Sequence, residues 1–99
     1  MTLNPSDVAA ALAELEGWTN NGDALTKTYS FDDFAAAMDF MQRAAGPIDE
    51  ADHHPEWTNV YNRVDVRLSS HDAGGITDRD LSLAQTLDGI STGSTSKSD

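Results

Sequence analysis

The chain has 99 residues, 38% of them hydrophobic and 23% charged, which suits one compact domain and is too little for two. It has no cysteine, which excludes a disulfide scaffold, a zinc–thiolate or iron–sulfur centre and a thiol nucleophile. Seventeen acidic residues against six basic ones give a formal charge of −11. So negative a surface repels phosphate backbones and anionic lipid heads, so neither direct nucleic-acid binding nor membrane binding is expected.

Asp (13) outnumbers Glu (4), and lysine occurs only at Lys27 and Lys97, a composition suited to solubility in concentrated salt and hence to a halophilic source. No apolar run approaches the ~20 residues that cross a bilayer. The N-terminus lacks a basic start followed by an apolar stretch, so cytoplasmic residence is the expectation.

One domain is expected over residues 3–90, followed by a disordered polar tail over 91–99, rich in Ser and Thr. The first helix is predicted from Pro5 to about Glu16, capped by Asn4, with Val8, Leu12 and Leu15 as its apolar stripe and Gly17 as its stop. Trp18 falls in a short strand, Asn20-Asn21-Gly22-Asp23 reads as a turn, and Leu25 to Phe31 alternates as the second strand of a hairpin, with Lys27 on its apolar face. Ser30 looks like the cap of the next helix, with Tyr29 and Phe34 as a hydrophobic staple. Phe34, Met38 and Met41 form that helix's core-facing stripe, and Gly46-Pro47 should end or kink it, with a further turn restarting to about Asp52.

From Thr58 to Ser69 the period is two: Val60, Val64, Val66 and Leu68 share one face, and Tyr61, Arg63, Asp65 and Arg67 the other. This is one long strand, or two joined by a bend near Asn62. Ala73-Gly74-Gly75 is a loop. Thr77 with Asp80 makes a capping-box start, stapled by Ile76 and Leu81, for a last helix to about Leu87. The fold class is α+β and two-layered: an antiparallel sheet of three to four strands with helices packed on one face, in the order α-β-β-α-β-β-α.

All three histidines, His53, His54 and His71, fall within 19 residues and flank the predicted strand. Imidazoles that titrate near neutrality and share a cleft can divide the work of donor and acceptor. The same three could hold a metal, or be ordinary loop residues; adjacent histidines in extended chain point different ways, which weakens the metal reading, and none is assigned.

The wording around them is more specific than their spacing. Asp52-His53-His54-Pro55-Glu56-Trp57, then Asn59-Val60-Tyr61-Asn62 and Val64, then Leu68-Ser69-Ser70-His71, then Thr77-Asp78-Arg79-Asp80-Leu81 and Leu83-Ala84 closely resemble the pterin-4a-carbinolamine dehydratases. Gly17-Trp18, Tyr29-Ser30-Phe31 and Phe40-Met41 extend the likeness over nearly the whole domain.

The resemblance implies a hydro-lyase that converts 4a-hydroxytetrahydrobiopterin, or a related 4a-hydroxytetrahydropterin, to the quinonoid dihydropterin and water, without a cofactor, in pterin recycling. It implies that His53 and His71 are the acid–base pair and that His54 binds and orients the pterin. Asp52, Ser69, Ser70 and Asp72 would line the substrate site with these histidines. Asp80 matches the acid of the family's Arg-Asp pair and would orient an imidazole, although a helix-capping role explains it equally well. Pro55 would aim the two histidines, and Trp57 would form core or pocket wall.

Ala73 stands where some relatives carry cysteine, and Gly46-Pro47 interrupts a helix that is usually continuous and so is expected to shift Asp49, which matches a family acidic position. Relatives form homodimers or homotetramers, and a similar oligomer is expected here. Two other functions compete. One is a protein-binding module, since animal members also act as a dimerisation cofactor for a homeodomain transcription factor; the other is a metal-binding protein.

The composition carries a prediction of its own. Melting in molar KCl should occur at a higher temperature than in low salt, because counterions screen the self-repulsion of a −11 chain; equal melting temperatures by circular dichroism would exclude salt adaptation.

Overall fold

The computed structural model describes residues 3–70 and 72–96. Three helices and four strands follow one another as α1 (Pro5–Leu12), β1 (Thr19–Asn20), β2 (Leu25–Ser30), α2 (Phe34–Ala51), β3 (Glu56–Val60), β4 (Arg63–Leu68) and α3 (Asp78–Ser96). The strands form one antiparallel sheet in the order β1-β2-β4-β3. This is the expected two-layer α+β architecture. Leu25 and Tyr29 of β2 with Val64, Val66 and Leu68 of β4 supply the buried face of the sheet.

α1 begins as the sequence predicts: Asn4 accepts the Asp7 N–H at 2.9 Å and Pro5 takes the first helical position. It ends at Leu12, earlier than expected, because the next turn tightens, with Glu14 N–H donating to the Ala11 carbonyl and Leu15 N–H to that of Leu12. Leu15 is still buried, so the stripe outlasts the helix.

α2 departs from expectation in three ways. Its cap is Asp33, whose carboxylate accepts the Ala36 N–H at 2.9 Å; Ser30 is instead the last residue of β2. The buried stripe is Ala37, Phe40, Ala44 and Ile48, while Phe34 and Met38 are 49% and 39% exposed. The inward face is therefore turned by about 100°, one residue, from the one that the larger side chains suggested. Two alanines on that face allow the close approach of neighbouring elements, and the exposed Phe34 makes no staple with buried Tyr29. Finally, the helix runs through Gly46-Pro47 without ending. Pro47 has no N–H to return to Arg43, but Ala44 and Ile48 are both buried on either side of it, and tertiary burial outweighs the missing rung.

The stretch after α2 is two strands. β3 and β4 are joined by Tyr61 and Asn62, with Tyr61 left-handed at φ 52. In this register Val60 pairs with Arg63 and Asn59 with Val64. A two-residue turn resets the alternation, so Val60 shares a face with Arg63 and is 51% exposed, not aligned with Val64, Val66 and Leu68 as an unbroken strand requires. α3 runs past the expected end near Leu87 to Ser96, so 91–96 of the expected tail is helical here; residues 97–99 lie outside those described.

Aromatic rings bind the layers together. Phe40 of α2 is fully buried and lies 4.8 Å from Tyr29, 5.2 Å from Phe31 and 6.4 Å from Trp57, centroid to centroid. A polar knot lies beside them. Asp88 of α3 accepts from Tyr29 Oη at 2.5 Å, Lys27 Nζ at 2.8 Å and Trp18 Nε1 at 3.1 Å. Lys27 also donates to the Glu16 carbonyl at 2.9 Å and stands 4.7 Å above the Tyr29 ring. Gly17, at φ +89, makes room for it: a Cβ there would meet Lys27 Cε at 3.0 Å. Burial, with Asp88 beside it, pushes the Tyr29 hydroxyl well above the ordinary tyrosine range, so it remains a donor.

Removing the acceptor strands three donors at once. Asp88→Ala should cost about 2–4 kcal/mol and lower the melting temperature by roughly 10–20 °C. Asp39→Ala, which breaks only the exposed helical pair with Arg43, should cost less than about 0.5 kcal/mol. Thermal melts of the two variants side by side test the difference.

Candidate active site

The site is built where α2 ends, β4 ends and α3 begins. Asp52 closes α2 in the left-handed conformation at φ 53, its N–H donating to the carbonyls of Asp49 and Ile48. From the next residue the chain alternates. His53 is buried while Pro55, Trp57 and Asn59 are half-buried; His54, Glu56, Thr58 and Val60 are exposed. The two-residue period of β3 thus begins before the strand does, and it sends the adjacent histidines to opposite sides.

His53 is 8% exposed and its Nε2 lies 2.6 Å from Asp80 Oδ1. Asp80, with no exposed surface, uses its other oxygen twice: Oδ2 accepts the Ser70 hydroxyl and the Thr77 N–H, each at 2.9 Å. Ser70 Oγ is also 2.7 Å from Thr77 Oγ1, which accepts the Arg79 N–H at 3.2 Å. The capping box is therefore real, and the same carboxylate also holds an imidazole. One oxygen meets the imidazole and the other takes the capping bonds.

Ser70 closes the loop that follows β4. Its N–H donates to the Gly75 carbonyl at 2.9 Å, and its own carbonyl accepts from Ala73, Gly74 and Gly75. His71 belongs to this loop in sequence but lies outside the described residues. Asp72 is exposed and accepts from Arg79 Nη2 at 2.7 Å; that guanidinium holds the Asp72 carboxyl below the usual carboxylate range. Ser69 Oγ donates to the Asp23 carbonyl at 2.9 Å, which ties the strand end to the β1–β2 turn. His54 Nε2 is 2.9 Å from Asp49 Oδ1, and both side chains are largely exposed.

His53 opens onto a cleft of about 510 Å³ between the end of α2 and the first turns of α3; Pro47, Glu50, Asp78, Arg79 and Leu83 are among its walls. That volume suits a small heterocycle. A larger groove, about 1050 Å³, runs along the sheet past Pro55 and Trp57 and has none of the described histidines in its lining. The chemistry therefore points to the smaller cleft. Trp57 packs on Phe40 at 6.4 Å, against the core, and is not among the walls of the smaller cleft. Among the described residues, no three His, Cys, Asp or Glu side chains converge as a metal cage requires.

The comparisons with known proteins bear on the same elements. The family model described as pterin 4 alpha carbinolamine dehydratase matches residues 1–90. The chain belongs to this family. A protein of Opitutus terrae named "Putative pterin-4-alpha-carbinolamine dehydratase" is 51% identical over 90 residues, covering 90% of this chain and 93% of that one. Among solved structures, a Brucella melitensis protein described as a transcriptional coactivator/pterin dehydratase superposes with a TM-score of 0.89 at 41% identity, over 92% of this chain and 99% of its own. A pterin dehydratase-like protein described as a RuBisCO assembly factor of the alpha-carboxysome shares the fold, with a TM-score of 0.67 at 19% identity over 77% of this chain and 90% of that one.

Within this dehydratase fold, sequence reasoning named His53, Ser70 and Asp80 and missed that they form one buried chain. It also missed the cleft walls Glu50, Asp78 and Arg79. Arg79 could have been found as the neighbour of Asp80 in the first turn of α3; Glu50 and Asp78 carry no local signal beyond charge.

The ion pair makes a pH prediction. Because pairing lowers the folded-state pKa of Asp72, its contribution is complete above the ordinary aspartate range and is lost as pH falls through the lowered value. A carboxyl-carbon NMR titration should place the Asp72 midpoint below that of free aspartate, and Arg79→Ala should return it to the ordinary range.

Proposed function

We propose that the protein is a hydro-lyase acting on a 4a-hydroxytetrahydropterin, with His53 and His71 exchanging protons with substrate; an orienting role for His54, which lies on the outer side of the chain, enters from the family resemblance alone. The reaction breaks the C4a–O bond and forms a C4a=N5 double bond. The departing hydroxyl takes a proton and leaves as water, and the N5 hydrogen is lost as a proton to a base. Electrons and atoms balance with no oxidant, so one donor and one acceptor suffice.

The observation that carries this reading is the His53–Asp80 pair at the cleft. With Nε2 engaged by a buried carboxylate, the imidazole is fixed in one orientation and Nδ1 is the nitrogen left for substrate. Asp80 is itself fixed by Ser70 and Thr77, so the ring is held by a rigid polar chain and does not have to be ordered by substrate. His71 enters the proposal from the family resemblance, and Asp52, Ser69 and Asp72 from that resemblance and from their place around the same chain ends. Self-association is part of the proposal, supported by the exposed Phe34 and Met38 of α2 and by β3 at the sheet edge.

Stopped-flow dehydration of a 4a-hydroxytetrahydropterin tests the reading. The wild-type protein should accelerate it, and His53→Ala and His71→Ala should each lose about 10²-fold or more in kcat with circular dichroism unchanged. Asp80→Asn, which keeps the shape but alters the bond to His53, should lose less. No acceleration by the wild type would leave the family's binding-module role as the better account.

A further inference from the structure

The cleft beside His53 has a charge pattern that the reaction itself does not use. Glu50, in the last turn of α2, and Asp78, the first residue of α3, both line it. The cation among its walls, Arg79, already has its guanidinium on Asp72 at 2.7 Å. The approach is acidic as well, since Asp49 and Asp52 flank Glu50 at the helix end, both exposed. α2 brings its negative C-terminal end and α3 its positive N-terminal end to the same opening, so the two dipoles offset and the side-chain carboxylates set the sign of the field. A ligand entering the cleft meets these carboxylates, and the guanidinium among the described walls is already paired.

We infer that the cleft selects pterins whose side chain is uncharged and rejects phosphorylated or glutamylated ones, and that Glu50 and Asp78 determine this specificity. The inference rests on the dehydratase reading for its substrate and goes further by naming which members of the pterin class are admitted. The pterin ring is the same in all of them, so only the substituent distinguishes them. A neutral hydroxylated chain can donate hydrogen bonds to the two carboxylates, whereas a phosphate or carboxylate in the same place is repelled. Such discrimination by charge decays with ionic strength, because the screening length falls from about 10 Å at 0.1 M salt to about 3 Å at 1 M.

The test compares two 4a-hydroxytetrahydropterins that differ only in a terminal phosphate ester on a polyol side chain. At low salt the wild type should favour the neutral one by roughly tenfold in kcat/KM, and molar KCl should bring the ratio toward one. The double variant Glu50→Gln, Asp78→Asn should narrow the low-salt ratio to about threefold or less, and Glu50→Lys should narrow it further or invert it. Each ratio is taken within one protein and one buffer, so a loss of stability in a variant or in low salt cancels.

Equal rates for the two substrates at low salt would overturn the inference. So would a preference that survives both molar salt and the double variant, since that is a steric effect. Binding of the matching pair of 7,8-dihydropterins, followed by fluorescence, separates this inference from the reaction. Discrimination in binding without catalysis would remove the dehydratase reading and keep the selectivity. Binding of both without discrimination would do the reverse, and binding of neither would overturn the selectivity.

Discussion

A single buried carboxylate organises this molecule. Asp80 has no contact with solvent and accepts from three parts of the chain: His53 after α2, Ser70 after β4 and the Thr77 N–H before α3. Burying a charge is costly unless it is fully hydrogen-bonded, and each of these donors offsets part of that cost. Losing one donor leaves the charge less well served, whereas losing the carboxylate leaves three donors unpaired. The start of a helix, the end of a strand and the orientation of an imidazole become one cooperative event.

A second carboxylate does the same at the far half of α3. Asp88 lies about two turns after Asp80 and one after Ala84, on the inward side of the helix, and gathers Trp18, Lys27 and Tyr29. The two acids fix α3 to the sheet at two points along its length, with Leu83, Ala84 and Leu87 buried between them. The first fixation reaches the catalytic candidate, whereas the second holds the frame. Family members differ in their described roles, and the RuBisCO assembly factor at 19% identity keeps the fold, so the scaffold is separable from the chemistry placed on it.

Much of this was legible in the residues. Element order, the sheet, the Asn4 cap and the Thr77–Asp80 box follow from local patterns whose physics is local. Where reading failed, the deciding interaction was distant. Large side chains marked Phe34, Met38 and Met41 as the inner face of α2; Met41 does pack against the core, but Phe34 and Met38 are exposed and the alanines beside Phe40 take the buried positions. Pro47 signals a break, and burial of its neighbours overrode it. Val60 fits the alternation of β4 until a two-residue turn shifts the parity. Lys27 looked like a flaw in an apolar face because its partner Asp88 is 61 residues away. The histidine pair was legible as a motif, but its separation into an inner and an outer member depends on where the alternation starts, which is set by the left-handed Asp52.

That starting point makes the site sensitive to chain length in a way that composition does not reveal. Between Asp52 and β3 every side chain's destination is fixed by its parity. With the alternation counted from Asp52, a residue inserted before His53 would exchange the inner and outer imidazoles, and one inserted between His54 and Trp57 would turn Trp57 away from Phe40. Substitutions along this segment change one contact each, whereas a one-residue indel redirects every side chain that follows it. The three residues from His53 to Pro55 thus behave as a ruler whose spacing matters more than its lettering.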